Sequence, residues 1–327
     1  MKVAITGATG HIGGVIVREL LHRGHAVKVL VRGNDNKSLN ELDVEKVQGD
    51  LHDDHALQKL MESCDALIHA AALISIDGDM KGLVYRTNVV GTRQVMEAAK
   101  AAGVKRVIHI SSVHAYAQHP LDAIFDERRA PAGDNTFAYD RSKRDGQALA
   151  LSYASAEMEI LVVNPTSVVG PYDFKPSKLG QAIINMSTGK LPFVFKGGFD
   201  FCDGRDVAHA IVNALTMGRS GEAYLLGGGW CSLSEFGQIL SEVSTYKNKP
   251  IALPTTLGWL GLPFIYALAI MTRSEPLYTN EALVAVSEGH RHINCMKAKT
   301  ELHYTSRPLR ESLTDTWAWF RENGYLG

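Results

Sequence analysis

Near the N-terminus an apolar run, Val3-Ala4-Ile5, leads into Thr6-Gly7-Ala8-Thr9-Gly10-His11-Ile12-Gly13, and Val15, Ile16, Val17, Leu20 and Leu21 follow at helical spacing. This succession of strand, glycine turn and helix constrains the fold more than any other feature of the chain. Glycines let backbone approach a phosphate closely, and the first N–H groups of a helix have no internal partner. The turn is therefore expected to seat a dinucleotide pyrophosphate on the helix N-terminus. Gly7, Gly10 and Gly13 would allow the approach, with Thr9, His11 and Ile12 at the turn and the helix start.

The first half goes on alternating short apolar strands with helical patterns, which marks a parallel sheet built from βαβ units. Strands are predicted at 2–6, 26–31, 44–48, 65–70, 106–111 and 159–163, and helices at 11–23, 53–62, 79–102 and 139–156. After Pro165 the pattern loosens. Helices are predicted at 177–188, 206–217, 234–246 and 309–323, with short strands at 193–195 and 222–226. The expected fold class is α/β: a Rossmann-type, doubly wound parallel sheet with a smaller, mainly C-terminal substrate-binding lobe.

With 327 residues, 45% hydrophobic and 21% charged, the chain can bury a sizeable core. Its net charge of −1 gives no basic footprint, so no nucleic-acid partner is expected. Cys64, Cys202, Cys231 and Cys295 are widely spaced without metal-like pairing, so no metal site is expected and scattered thiols in a reducing compartment fit better. The chain starts directly with the first strand, which leaves no room for a signal peptide and suggests a cytoplasmic location.

A second motif, Tyr139-Asp140-Arg141-Ser142-Lys143, sets a phenol and an ammonium four residues apart, on one face of a helix. A lysine beside a tyrosine is expected to lower the phenol's pKa and ease proton transfer at neutral pH. Lys143 could also hold the nicotinamide ribose. Cofactor cradle and phenol together point to hydride chemistry. Arg32, at the end of the second strand, can pair with a 2′-phosphate, which favours NADP(H) and leaves NAD(H) possible; nearby Asp35 could instead accept from the ribose hydroxyls.

These motifs, with Gly49-Asp50-Leu51, His69-Ala70-Ala71-Ala72, Thr87-Asn88-Val89-Val90-Gly91-Thr92, Ser111-Ser112, Asn164-Pro165-Thr166, Gly170-Pro171 and Arg205-Asp206-Val207-Ala208, span almost the whole chain. In this order the chain resembles an extended short-chain dehydrogenase/reductase of the NAD-dependent epimerase/dehydratase superfamily. It is closest in flavour to the dihydroflavonol-reductase and 3β-hydroxysteroid-dehydrogenase-like branch. The resemblance implies a ketoreductase site in which Ser112, four before Tyr116, holds the substrate oxygen while Tyr139 and Lys143 act with it and Asn88 supports them. It implies cofactor contacts from Asp50, Leu51, Ala70, Ala71, Ala72, Pro165, Thr166 and Ser167. His114 is expected to face the substrate, and Tyr172 and Phe174 to line the pocket. The domains implied are 1–165 for the cofactor, with 197–229 returning to it, and 166–196 plus 230–327 for the substrate. Helices near 92–102 and 140–156 resemble those that pair into homodimers in relatives.

One departure shapes the substrate expectation. Relatives acting on nucleotide sugars usually carry an arginine seven residues before the aspartate of Asp206-Val207-Ala208, and here that position is Phe199. A diphosphate without an arginine partner would be held poorly. The expectation is an NADP-dependent oxidoreductase acting on a ketone, aldehyde or alcohol of a largely hydrophobic small molecule. The alternatives are an NAD(P)-dependent sugar epimerase or dehydratase, and a non-catalytic cofactor sensor. Residues 251–272 carry no charge, but Pro254, Gly258, Gly261 and Pro263 interrupt them, which disfavours a spanning helix. A buried helix pair, an apolar lid and a surface in peripheral contact with a membrane all remain open readings.

Overall fold

The computed structural model describes residues 1–33, 37–247, 249–272 and 278–326. Its centre is a parallel sheet of seven strands: β1 (Lys2–Thr6), β2 (Ala26–Val31), β3 (Glu45–Gln48), β4 (Ala66–His69), β5 (Arg106–Ile110), β6 (Glu159–Pro165) and, from later in the chain, β10 (Ala223–Leu226). Their order is β10-β6-β5-β4-β1-β2-β3, so the direction of winding reverses between β1 and β4. Ligands of open α/β sheets bind in the crevice at the carboxyl end of such a reversal.

All but the edge strand β3, which is mostly exposed, are buried on both faces and so read as largely apolar runs. Successive side chains still alternate. Val3 and Ile5 enter one core with Ile68, Ile108 and Val163, packed under helices His11–His22 and Gly204–Asn213. Ala4 enters the other with Leu67, Val107 and Ile160, under Asp54–Met61 and Gly91–Ala101. A third core, built around Phe195, Phe201, Phe236, Leu313 and Phe320, belongs to the second half of the chain.

Two predicted helices are shorter in the structure. The one expected over 79–102 begins at Leu83, because Met80 and Lys81 have φ of 49° and 59°, outside the right-handed helical region. Its residues Arg86–Val90 form a π-helical turn before Gly91–Ala101. The one expected over 139–156 runs Ala138–Leu151, since the Ser155 hydroxyl accepts from the N–H groups of Glu157 and Met158 and turns the chain into β6.

Beyond Pro165 the strands predicted at 193–195 and 222–226 form, as β8 (Phe193–Phe195) and β10, and the structure adds strands that periodicity did not indicate. β7 (Ser167–Val169), β9 (Gly198–Asp203) and β11 (Trp230–Ser232) make a small sheet, and β8 pairs with β12 (Ile251–Leu253). Residues 251–272 form no helix pair: after β12 there is one helix, Thr255–Thr272, with Pro263 inside it. Among the described residues no helix is long and apolar enough to cross a membrane. All four cysteines are buried and unpaired.

Candidate active site

The glycine turn meets the segment after β4 at the winding reversal. Gly7 has φ of 76°, and a Cβ there would lie 2.5 Å from the Ala71 nitrogen and 2.6 Å from the Ala70 carbonyl carbon. At Gly13 a Cβ would lie 2.1 Å from the Gly7 oxygen. Side chains are thus excluded from both positions by backbone. Gly10 occupies the N-cap without a side-chain bond, and no acidic residue stands in the first turn of His11–His22. A helix start that is bare of side chains and carboxylates suits an anion, so these residues fit a dinucleotide pyrophosphate. Ile12 packs against the core, the Thr9 carbonyl accepts from the Ser38 hydroxyl, and the His11 ring lies 3.1 Å from the Pro171 carbonyl.

Arg32 is exposed just past the end of β2, at the carboxyl edge of the sheet beside the turn. Asp35 lies outside the described residues. Ala70, Ala71 and Ala72 follow β4 and border Gly7 with small side chains. The implied contacts after β3 separate: Asp50 is exposed and accepts from the His52 N–H at 2.8 Å, whereas Leu51 is buried in a core. Leu51 is packing, since its side chain fills the space beside Gly91.

A buried polar chain joins the turn to the Tyr139 helix. The Ala71 N–H donates to Thr6 Oγ1 at 3.4 Å, and Thr6 Oγ1 lies 2.6 Å from His69 Nδ1. His69 Nε2 is 3.0 Å from Thr92 Oγ1, which donates to the Asn88 carbonyl at 2.8 Å. Because the Thr92 hydroxyl proton goes to Asn88, the Nε2 side of His69 must carry its hydrogen and Nδ1 must accept from Thr6. Burial holds this neutral imidazole down at about 3, helped by the Lys143 charge. Asn88, in the π-helical turn, donates at 2.9 Å to both the Leu73 carbonyl and Ser142 Oγ, and Ser142 donates to the Tyr139 carbonyl at 2.7 Å. Asn88 is a positioning residue: it ties the segment after β4 to the helix carrying Tyr139 and Lys143.

Ser112 follows β5, and its hydroxyl, which accepts from the His114 N–H at 3.2 Å, favours the charged form of the nearby Tyr139 phenol. Burial pushes that phenol up to about 12, the Ser112 hydroxyl opposes the rise, and Asp140 adds to it. The expected lowering by Lys143 is absent. Lys143 Nζ donates to the Ile110 carbonyl at 3.0 Å, and burial lowers the lysine itself from 10.5 to about 8. Burial dominates at both groups, and the phenol keeps its proton at neutral pH.

Beside Tyr139 opens a cleft of about 260 Å³. Its walls include Val113, His114, Phe137 and Asp140 near the catalytic helix, Thr166, Ser167, Phe199 and Asp200 opposite, and Val284 and Ile293 from the second half. His114 Nδ1 pairs with Asp140 Oδ1 at 2.9 Å, and its ring stands edge-on to Tyr139, 5.6 Å between centroids. Thr166 and Ser167 are cleft residues, and Ser167 opens β7 rather than a loop; Pro165 closes β6. Tyr172 and Phe174 lie elsewhere. Their rings stack on the Arg18 guanidinium, at 4.6 and 5.2 Å, and pack against Trp319. Sequence reasoning missed Asp140, although it lies inside the Tyr/Lys motif. It also missed the Val284 wall, which carries no local signal.

A glycine turn at the winding reversal, joined through Thr6, His69, Thr92 and Asn88 to the helix that carries Tyr139 and Lys143, defines an NAD(P)-dependent oxidoreductase acting on CH–OH or C=O groups. A model of the NAD dependent epimerase/dehydratase family matches residues 3–227. The chain is 33% identical to Sterol demethylase protein B of Methylococcus capsulatus over 100% of both chains. It is 32% identical to a Synechocystis protein provisionally named a dihydroflavonol 4-reductase, over 98% of this chain and 95% of the other. The crystal structure of gox2253 superposes with a TM-score of 0.85 at 32% identity, covering 100% and 99% of the two chains. The chain belongs to the NAD-dependent epimerase/dehydratase family, within the extended short-chain dehydrogenase/reductases. Arg205, bonded to Asp203 and Asp315, and Asp206, bonded to Arg307, serve the packing of the fold.

Proposed function

We propose that this enzyme is an NADP-preferring reductase of a ketone or aldehyde on a largely apolar, ring-bearing small molecule, able to run the reverse oxidation. The observation that carries the reading is Phe199, which stands in the cleft beside Tyr139 where a diphosphate-gripping arginine would be needed for a nucleotide sugar. Val113, Phe137, Val284 and Ile293 extend the apolar lining. The likeness to a protein named for sterol demethylation supports a substrate of the sterol type. Arg32, exposed at the end of β2, supports a 2′-phosphate contact.

The Ser112 hydroxyl and the Tyr139 phenol together hold the substrate oxygen. The bound nicotinamide supplies or accepts the hydride. In the reducing direction Tyr139 gives its proton to the oxygen as the carbonyl carbon becomes tetrahedral, so the product is an alcohol and the phenol is left as phenolate. A phenol held at about 12 stays protonated until that moment, which suits it to the role of acid. Lys143, at about 8, can hold a ribose hydroxyl and return a proton to the phenolate. Asp140 fixes the His114 ring, and the ring buttresses Tyr139.

Calorimetric titration with NADPH and NADH, on the native chain and on Arg32→Ala, tests the cofactor half. A preference for NADPH that collapses in the variant supports the reading, and an NADH preference untouched by the substitution opposes it. A screen of 3-oxosteroid-like ketones with NADPH tests the substrate half.

A further inference from the structure

We infer that helix Thr255–Thr272 and the adjoining β8–β12 pair form a docking surface for an anionic phospholipid membrane. The inference does not depend on the substrate reading above. Residues 251–272 contain no Asp, Glu, Lys or Arg. One side of the helix is held by the protein: a Cβ at Gly258 would meet Phe195 and Leu283, each at 2.9 Å, and Leu262 packs against the third core. Away from that side Leu257, Leu260, Phe264 and Met271 are 51, 71, 78 and 82% exposed. Their spacing of three, four and seven residues puts them in one stripe. The helix has 18 residues, so it runs about 27 Å at 1.5 Å per residue. Phe193 and Ile251, partners in the β8–β12 register, are also exposed and prolong the apolar surface.

Lysines crowd the chain on either side of this surface. Segments 177–198 and 243–272 hold Lys178, Lys190, Lys196, Lys247 and Lys249 and not one Asp or Glu. Lys190, Lys196, Lys247 and Lys249 are exposed and flank β8 and β12. Glu242, Glu281 and Glu288 on neighbouring elements are each engaged: Glu242 with Arg310, Glu281 with the Gly78 N–H and Glu288 with His119. An apolar stripe framed by lysines is complementary to anionic headgroups over acyl chains. A second copy of the chain would bring the same lysines face to face, a like-charge arrangement that opposes self-association. The helix packs against Asn280–Ser287, whose Val284 lines the cleft, so docking would set a wall of the active site beside the bilayer. An apolar substrate could then pass between the two without crossing water.

The test is flotation of the purified full chain with phosphatidylcholine vesicles, with and without phosphatidylglycerol. The native chain should float with the phosphatidylglycerol vesicles and do so less at high salt. Leu260→Glu/Phe264→Glu and, separately, Lys247→Glu/Lys249→Glu should each weaken partitioning at least about tenfold, with melting temperature and NADPH affinity unchanged as proof of fold. Three results would overturn the proposal: no flotation with anionic vesicles, flotation unaffected by Leu260→Glu/Phe264→Glu, or a concentration-dependent dimer that this variant abolishes. The last would assign the stripe to a second copy.

Discussion

Asn88 grips Leu73 from both sides: its Oδ1 accepts the Leu73 N–H at 2.7 Å, and its Nδ2 donates to the Leu73 carbonyl at 2.9 Å. The same Nδ2 reaches Ser142, on the helix of Tyr139 and Lys143. Asn88→Ala breaks all three bonds and lets the segment after β4 drift from the catalytic helix. Misplacement on the order of 1 Å costs up to about a hundredfold in rate. The variant should lose kcat by about tenfold to a hundredfold with little change in KM for cofactor, and about 1–3 kcal/mol of stability. Steady-state kinetics beside a urea denaturation series would measure both.

Lys143 should trade stability for activity. Burial lowers it from 10.5 to about 8, so at pH 7 its charge costs on the order of 3 kcal/mol relative to the unfolded chain. The sign follows from the direction: the cost is full below pH 8 and fades as pH rises toward 10.5. Lys143→Met removes it and loses only the bond to the Ile110 carbonyl. The variant should be inactive yet more stable by about 1–2 kcal/mol at pH 7, with the gain vanishing near pH 10. Melting curves across that range decide the matter, and a less stable variant at pH 7 would contradict it.

His69 and His109 make the fold acid-sensitive. Burial lowers both from 6.5, His69 to about 3, so the native chain leaves them neutral while the unfolded chain protonates them. Their contribution is present above pH 6.5 and is lost as pH falls toward 3. By pH 5 His69 alone should cost about 2 kcal/mol, and His109 adds to the loss in the same direction. His109 Nδ1 is buried without a hydrogen-bond partner. His109→Leu should therefore remove part of the acid loss, read as a smaller drop in urea midpoint between pH 7 and 5.

The two glycines Gly13 and Gly10 should separate stability from binding. A Cβ at Gly13 would sit 2.1 Å from the Gly7 oxygen, whereas at Gly10 the nearest atom is 3.4 Å away. Gly13→Ala should cost roughly 1–3 kcal/mol and more than about tenfold in NADPH affinity. Gly10→Ala should leave the melting temperature nearly unchanged and still weaken NADPH. Thermal melts paired with calorimetry would tell them apart.

The central sheet and the glycine turn were legible because their signals are local: apart from β3, the strands β1 to β6 are largely apolar, and Gly7 and Gly13 sit where any side chain would strike backbone. The short strands β7, β9, β11 and β12 were not. β7 and β11 are three residues each, and their partners, Phe201 and Phe199, lie far along the chain. Tyr172 and Phe174 have the composition of a pocket lining, but residue type carries no direction, and Arg18 on a different helix claimed both rings. For the Tyr139 phenol, the sequence displayed the neighbouring lysine and concealed the burial, and burial won.

The most direct test of the account is Tyr139→Phe, followed as NADPH consumed per apolar ketone reduced. With the phenol proton gone, turnover should fall by about a hundredfold to ten-thousandfold while NADPH still binds as in the native chain. Full turnover in Tyr139→Phe would contradict the account. So would a native enzyme that retains its cofactor, consumes none, and returns an epimerised sugar.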